Sequence, residues 1–410
     1  MSGSVDFDGD GQTDFTSSGL EDIFVAQYNA QGTFQWVEGG GNFFVDKGIG
    51  IGTDGTNNVY VTGVFSGNVD LDGDGQLDLT GSSFTPSIFT VKYDATGALQ
   101  WAIVPGAGSG EDIDVNSNGV SVLTGSFQGN ADFDEDGQTD VSVIGSADIF
   151  IASYDASGGL QWVRGAGGTE FDVGFGAAVD ASGNGYVTGY FQSSQTLAGA
   201  DFDGDGQVDV TGESFEVFIA KYDASGMLEQ VYSAGGDLDE RGFGIDLDDA
   251  GNAYITGYYS SDSDFDGDGQ TDIFSRRSRT DIFAARYDAA VLPVELAGFG
   301  GRADGDAAVL TWTTVSETNN AGFFVEQATG PSSWTTLGRV EGAGTTSEVQ
   351  RYQFRTGILA PGVHRFRLRQ VDIDGTVSYS RATAVNLSLA GAYASSRRFP
   401  IRRPGPRSCA

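Results

Sequence analysis

Apolar and polar positions alternate with period two along most of the chain, in short runs separated by Gly, Asn and Asp. Four kinds of run recur in a fixed order. One ends in Tyr: DIFVAQY (22–28), SIFTVKY (87–93), DIFIASY (148–154), EVFIAKY (216–222) and DIFAARY (281–287). An Asx-Gly turn leads to a second, which carries Trp in three copies: FQWVEGG (34–40), LQWAIV (99–104), LQWVRGA (160–166) and the Trp-less LEQVYSA (228–234). A Gly-rich run follows at 48–54, 111–115, 173–180 and 241–248. A β-branched and aromatic run then comes at 59–65, 120–127, 185–191 and 253–259. No stretch keeps a 3.6-residue apolar period for three turns, so the pattern predicts β-strands joined by hairpins.

An acidic nine-residue phrase punctuates these runs, beginning at residues 6, 70, 132, 201 and 264 with spacings of 64, 62, 69 and 63. A fixed period of this size means a repeat architecture. Four strands per period is the unit of a β-propeller blade, whereas a calcium-binding β-helix would repeat about every nine residues. Counting from the Gly-rich run gives three complete blades (45–105, 108–166 and 170–235), a three-stranded fourth (241–288) and two leading strands (22–38). The expected architecture is all-β, an open or strained arc of four to five blades over 1–290. Closure of the ring by pairing 34–40 with 281–287 is the alternative. After residue 292 the repeat stops. Short alternating strands with Trp312 early predict a seven-stranded β-sandwich over 293–389. Residues 390–410 hold five Arg and no acid, and are expected to be a disordered, truncated or frame-shifted end. A polyanion anchor is the less favoured reading of that tail.

The acidic phrase is where chemistry enters. It places Asp at loop positions 1, 3, 5 and 9, a turn-forming Gly at 6 and Gln at 7. The five sets are Asp6, Asp8, Asp10, Gln12 and Asp14; Asp70, Asp72, Asp74, Gln76 and Asp78; Asp132, Asp134, Asp136, Gln138 and Asp140; Asp201, Asp203, Asp205, Gln207 and Asp209; and Asp264, Asp266, Asp268, Gln270 and Asp272. This is the front of an EF-hand-type calcium loop, in which odd positions converge on one ion and position 7 offers its carbonyl. Four carboxylates so close repel one another unless a cation sits among them. About five Ca²⁺ are therefore expected. Position 12, a bidentate Glu in the full motif, is Ser17, Gly81, Val143, Gly212 or Ser275. Either the ninth-position Asp or water closes the shell, and affinity is expected at the weak, extracellular end of the range.

Charge excludes some partners. The net charge of −35 disfavours nucleic acid and anionic membranes. Five Ca²⁺ would still leave about −25, the remainder after ten positive charges. With three Lys against 19 Arg, the surface resembles that of proteins from salt-loving bacteria, or simply secures solubility. Screening of this self-repulsion should raise the melting midpoint between low and molar NaCl at saturating calcium; a flat or falling midpoint counts against it. Cys409 is the sole cysteine, so no intrachain disulfide forms. No apolar run approaches 18 residues, so no membrane span is expected.

Nothing points to catalysis. The single His, His364, is read as lying on the polar face of a sandwich strand, and no G-x-S-x-G, Walker or HExxH pattern occurs. The rival is a carbohydrate-active enzyme, glycosidase or lyase, on a propeller, using acids near the Gly-rich runs such as Glu111, Asp112, Asp239 and Glu240. Trp36, Trp101 and Trp162, and Tyr28, Tyr93, Tyr154, Tyr222 and Tyr287, are read as blade-to-blade packing rather than a sugar platform.

The full period, with its V-T-G-Y-F and D-I-F-V-A-K-Y-D-A-S-G-x-L-Q-W-V segments, resembles the bacterial β-propeller repeat family called SBBP, over about residues 5–290. That resemblance implies a Gly-rich first strand lining the channel and a calcium loop between the second and third strands of each blade. The module opening with LPVEL (292–296) is similar to fibronectin type III-like modules that precede type IX secretion sorting domains. Together they imply a secreted or cell-surface protein with a structural, adhesive or binding role toward an unknown protein or glycan. The run 22–28 is a strand in excess of a closed ring, because 281–287 already fills its slot, so the natural protein is expected to continue upstream with a signal peptide and further blades.

Overall fold

The computed structural model describes residues 3–193, 199–206, 208–212, 214–236, 238–263, 265, 271–275, 280–287, 296–314, 317–328, 334–346, 349–372, 377–380 and 383–387. Their regular structure is all strand, and the chain divides into two compact units, Met1–Ala289 and Ala290–Ala410.

In the first unit three antiparallel four-stranded sheets follow one another. The first is Lys47–Thr53, Val59–Phe65, Ser87–Tyr93 and Leu99–Ile103; the second is Gly108–Val115, Ser121–Phe127, Asp148–Tyr154 and Leu160–Ala166. The third is Val173–Val179, Gly185–Gln192, Phe215–Tyr222 and Leu228–Ala234. Strands neighbour one another in chain order, the meander of a propeller blade. A fourth sheet has three strands, Arg241–Leu247, Ala253–Tyr259 and Asp281–Tyr287, and Val25–Tyr28 pairs with Phe34–Glu38 as a half-blade. Among the described residues no strand pair joins Phe34–Glu38 to Asp281–Tyr287. On the fourth sheet Ile282 is 87% exposed, where its counterpart Val217, packed on the next blade, is 1% exposed.

The core lies between blades. Tyr60 and Ile88 of the first blade cluster with Ile113 and Leu123 of the second, and Val122 and Ile151 of the second with Ala177 and Val187 of the third. The Gly-rich strand permits this approach. A Cβ on Gly110, Gly174 or Gly242 would come within 2.1, 2.0 or 2.4 Å of Oγ1 of Thr62, Thr124 or Thr188 in the preceding blade. Those hydroxyls donate to the carbonyls of Phe89, Phe150 and Phe218, so the V-T-G and Gly-rich strands are required as a pair.

Three junctions also hold paired acids. Asp22 with Asp46, Asp148 with Asp172, and Glu216 with Glu240 are all buried. In each pair the second acid's N–H donates to the carbonyl just before the first: Asp46 to Glu21, Asp172 to Ala147 and Glu240 to Phe215. Their carboxylates accept backbone N–H groups. Asp46 takes Ser66 and Asn42, Asp172 takes Gln192 and Gly168, and Glu240 takes Ser260, Ser261 and Gly236. At the remaining junction Ser87 bridges to Ala107 instead.

The second unit is a sandwich of two sheets. One contains Leu296–Asp304, Ala307–Thr314 and Gln350–Arg355; the other orders Trp334–Thr346, Glu317–Ala328 and Gly362–Asp372. Among the described residues eight strands stand where seven were expected, because the last is in two pieces, Val377–Tyr379 and Thr383–Leu387, both pairing Gly362–Asp372. Trp312, Phe323, Val325, Phe366 and Leu368 fill the space between the sheets. Residues 390–410 lie outside the described residues.

Candidate metal centre

Small ribbons flank the acidic phrases, ahead of the third strand in the half-blade and between the second and third strands in the later sheets. Ser4–Val5 pairs with Phe15–Thr16, Asn68–Val69 with Leu79–Thr80, and Asn130–Ala131 with Val141–Ser142. Single bridges, Ala200 to Val210 and Ser263 to Ile273, do the same for the last two. Position 12 pairs at the base of the ribbon, the N–H of Ser17, Gly81 and Val143 donating to the carbonyls of Gly3, Gly67 and Gly129, while position 9 joins the converging carboxylates in two loops, as Asp78 and Asp209.

Hydrogen bonds set the turn. The position-1 carboxylate accepts the N–H of position 6, from Gly11 to Asp6, Gly75 to Asp70, Gly137 to Asp132 and Gly206 to Asp201, at 2.7–2.9 Å. Position 3 accepts from position 5: Asp8, Asp72, Asp134 and Asp203 take Asp10, Asp74, Asp136 and Asp205. Asp10, Asp74 and Asp136 accept the N–H of Gln12, Gln76 and Gln138 at 2.7 Å. Nε2 of Gln12 and Gln138 also donates to Asp10 and Asp136 at 2.9 Å. The glutamine thus steadies a carboxylate with its side chain, beyond the carbonyl role expected from the motif.

Position 2 anchors the loop, a role not recognised from the sequence although the residue is Phe in four copies and Leu in one. Leu71, Phe133 and Phe202 are fully buried, and Phe133, Phe202 and Phe265 pack on Phe150, Phe218 and Phe283 of the third strand. Its N–H donates to the position-9 carboxylate in all five loops, Asp14, Asp78, Asp140, Asp209 and Asp272, at 2.6–2.8 Å.

In four loops carboxylate oxygens converge to within 4.8 Å: Asp6, Asp8 and Asp10; Asp70, Asp72 and Asp78; Asp132, Asp134 and Asp136; Asp201, Asp203 and Asp209. Gln207, Asp264, Asp266, Asp268 and Gln270 lie outside the described residues. The donor set is all oxygen, the chemistry hard divalent cations take. Asp132 Oδ1, buried and accepting no hydrogen bond, fits such an ion. In three other loops a position-4 Gly N–H serves that oxygen; here Glu135, at φ 56°, replaces the glycine.

Charge crowding shows in the carboxyls. The Gly11 N–H bond outweighs desolvation and holds Asp6 below the usual range. For Asp8 the Asp10 N–H pulls down, but desolvation and the charges of Asp10, Asp14 and Asp6 outweigh it and push the group up. Asp78 is raised by burial, against the Leu71 N–H bond and together with Asp72, Asp70 and Asp74. A cation would relieve this conflict directly.

His364 requires correction. Positions 364, 366 and 368 share one side of their strand, so it lies on the face of buried Phe366, not with the arginines; period two decides this. Both ring nitrogens are engaged, Nδ1 with Gln327 Nε2 at 2.9 Å and Nε2 with the Ala360 carbonyl at 2.7 Å. Of the acids near the Gly-rich strands, Asp112 accepts the Ala177 N–H of the next blade, Asp239 pairs with Arg241, and Glu240 is buried at a junction.

No family model matches the chain. An uncharacterized WD repeat-containing protein of Acanthamoeba polyphaga mimivirus is 29% identical over 175 residues, covering 38% of this chain and 12% of its own length. Among solved structures, the extracellular domain of a hybrid two-component system from B. thetaiotaomicron aligns over 92% of this chain and 52% of its own, with 9% identity and a TM-score of 0.27. The chain thus spans a small part of that relative and about half of that structure. It is an all-β repeat protein, a β-propeller scaffold joined to a β-sandwich.

Proposed function

We propose that the chain is a calcium-stabilised β-propeller of the SBBP kind, carried outside the cell, with a structural, adhesive or binding role and no catalysis. The observation that carries this is the convergence of carboxylates in four loops at one blade position. The Gly-rich first strand and the loop between second and third strands match what the repeat resemblance implies. Asp at positions 1, 3, 5 and 9 would hold Ca²⁺, which would bring those carboxylates together without repulsion. Weak oxygen-only sites of this class suit extracellular calcium. The fibronectin-like reading of the second unit, and with it a link to type IX secretion, is supported by its strand order, three strands facing four with the last divided. Among the described residues no helix is long and apolar enough to cross a membrane. Titration calorimetry in millimolar Ca²⁺ should count about five sites. No heat and no uptake would sink the proposal.

A further inference from the structure

The third-strand tyrosines do two things at once. Their hydroxyls reach the acidic loop of their own blade: Tyr28 donates to the Phe7 carbonyl, Tyr154 to Phe133, Tyr222 to Phe202 and Tyr287 to Phe265, at 2.8–2.9 Å. In every case the acceptor is position 2, whose N–H is held by the position-9 Asp. In the later copies their rings meet the blade before. Trp101 packs on Tyr154 with centroids 6.2 Å apart, Trp162 on Tyr222 at 5.8 Å, and Tyr232, two residues beyond the vacated Trp position, on Tyr287 at 6.1 Å. Each Trp also covers the turn glycine beside that tyrosine. A Cβ on Gly158 would meet Trp101 at 3.0 Å and one on Gly226 would meet Trp162 at 2.5 Å, both glycines having positive φ.

A second contact crosses the same junctions. The linker leaving one blade bonds the loop of the next: Asp132 N–H to the Pro105 carbonyl, and Gly167 with Asp201 in both directions, at 2.9 Å. The acidic loops are therefore seated at the blade junctions.

One copy departs from this. Tyr93 packs under Trp36 like the others, but its buried hydroxyl has no hydrogen-bond partner. The position-2 carbonyl of its loop, Leu71, instead accepts the N–H of Gly39 from the preceding half-blade.

We propose that the third-strand tyrosine couples calcium occupancy of each loop to the stacking of that blade on the one before it. The coupling rests on the calcium reading above. A calcium-filled loop fixes the position-2 peptide; the peptide fixes the hydroxyl; the ring then presents a set face to the preceding Trp. Thermodynamic reciprocity requires the reverse, so loosening the Trp contact weakens the loop's calcium affinity. Tyr93 is the built-in control, since its hydroxyl takes no part.

Calcium titration of the full chain tests this, following heat and the fluorescence of the Trp residues. Tyr154→Phe should weaken one site about five-fold, the worth of one neutral hydrogen bond, and leave the others unchanged. Trp101→Leu, which removes no hydrogen bond from the loop because the Trp101 Nε1 has no partner, should weaken the same site. Tyr93→Phe should bind as the native chain does. The coupling is overturned if Tyr154→Phe binds normally, if Tyr93→Phe loses as much, or if Trp101→Leu leaves affinity intact in a folded protein. Should Trp101→Leu not fold, the contrast between Tyr154→Phe and Tyr93→Phe decides alone. A native chain that takes up no calcium overturns the calcium reading and this one with it; native uptake with unaffected variants overturns the coupling only.

Discussion

Chelating calcium should lower the melting midpoint of the propeller unit by about 10 °C relative to 2 mM Ca²⁺. A loop at the weak end of the EF-hand range has a Kd of about 10⁻⁴–10⁻³ M, so 2 mM ligand stabilises the folded state by roughly 0.6–1.8 kcal/mol per site. Five such loops together contribute roughly 3–9 kcal/mol. For a domain approaching 300 residues each kcal/mol moves the midpoint by about 2 °C. The loss should also spread beyond the loops, because the loops at 132–140 and 201–209 are tied to their third strands through position 2 and to the preceding blade through the linker. Replacing Asp8 and Asp10 by Ala should remove one site and leave four. A melting curve unmoved by chelator would refute the stabilising role, whatever calorimetry counts.

Strand positions and blade order were legible in the sequence because period-two runs and Gly-Asx turns act locally. The place of the acidic loop and the packing role of Trp36, Trp101 and Trp162 were legible for another reason: a repeat puts equal residues in equal surroundings. What the sequence hid depends on distance along the chain. The tyrosine hydroxyls were assigned to packing alone, although the bond they make spans about twenty residues and ends on a carbonyl, which leaves no trace in residue type. Trp36 makes the same point, its Nε1 donating to the Ala95 carbonyl.

The junction acids were missed more avoidably. Asp22 and Asp46, Asp148 and Asp172, and Glu216 and Glu240 are each 24 residues apart. Taken singly, each reads as a turn former at the start of a strand. Their recurrence at one spacing was the signal, and its loss at Ser87 and Ala107 marks the one junction built differently. The eighth strand of the sandwich was hidden because the run 377–387 is one apolar alternation in sequence yet two ladders on Gly362–Asp372.

Burial raises the junction acids Asp46, Asp148 and Asp172, which sets a pH dependence opposite to that of calcium-filled loops. Asp172 is wholly buried. Burial pushes its carboxyl up to about 7, against the hydrogen bonds from Gly168 and Gln192 and together with the charges of Asp148 and Glu170. Unfolded, the group titrates near 3.8. Between these values the folded chain holds a proton that the unfolded chain has released, so stability must fall as pH rises. The contribution is whole below about pH 3.8, shrinks through the interval and is gone above about 7. The full gap corresponds to about 4 kcal/mol as an upper bound, and between pH 5 and 7.5 roughly 2–3 kcal/mol should be lost. In EDTA, which removes the opposing effect of calcium on the loops, the native midpoint should drop by about 5 °C over that range relative to Asp172→Asn, which has no proton to lose. Repulsion from the net charge of −35 also grows with pH, but it is nearly common to both proteins and cancels in the difference. Parallel curves for the two proteins would show that Asp172 stays ionised in the fold, its two N–H donors outweighing burial.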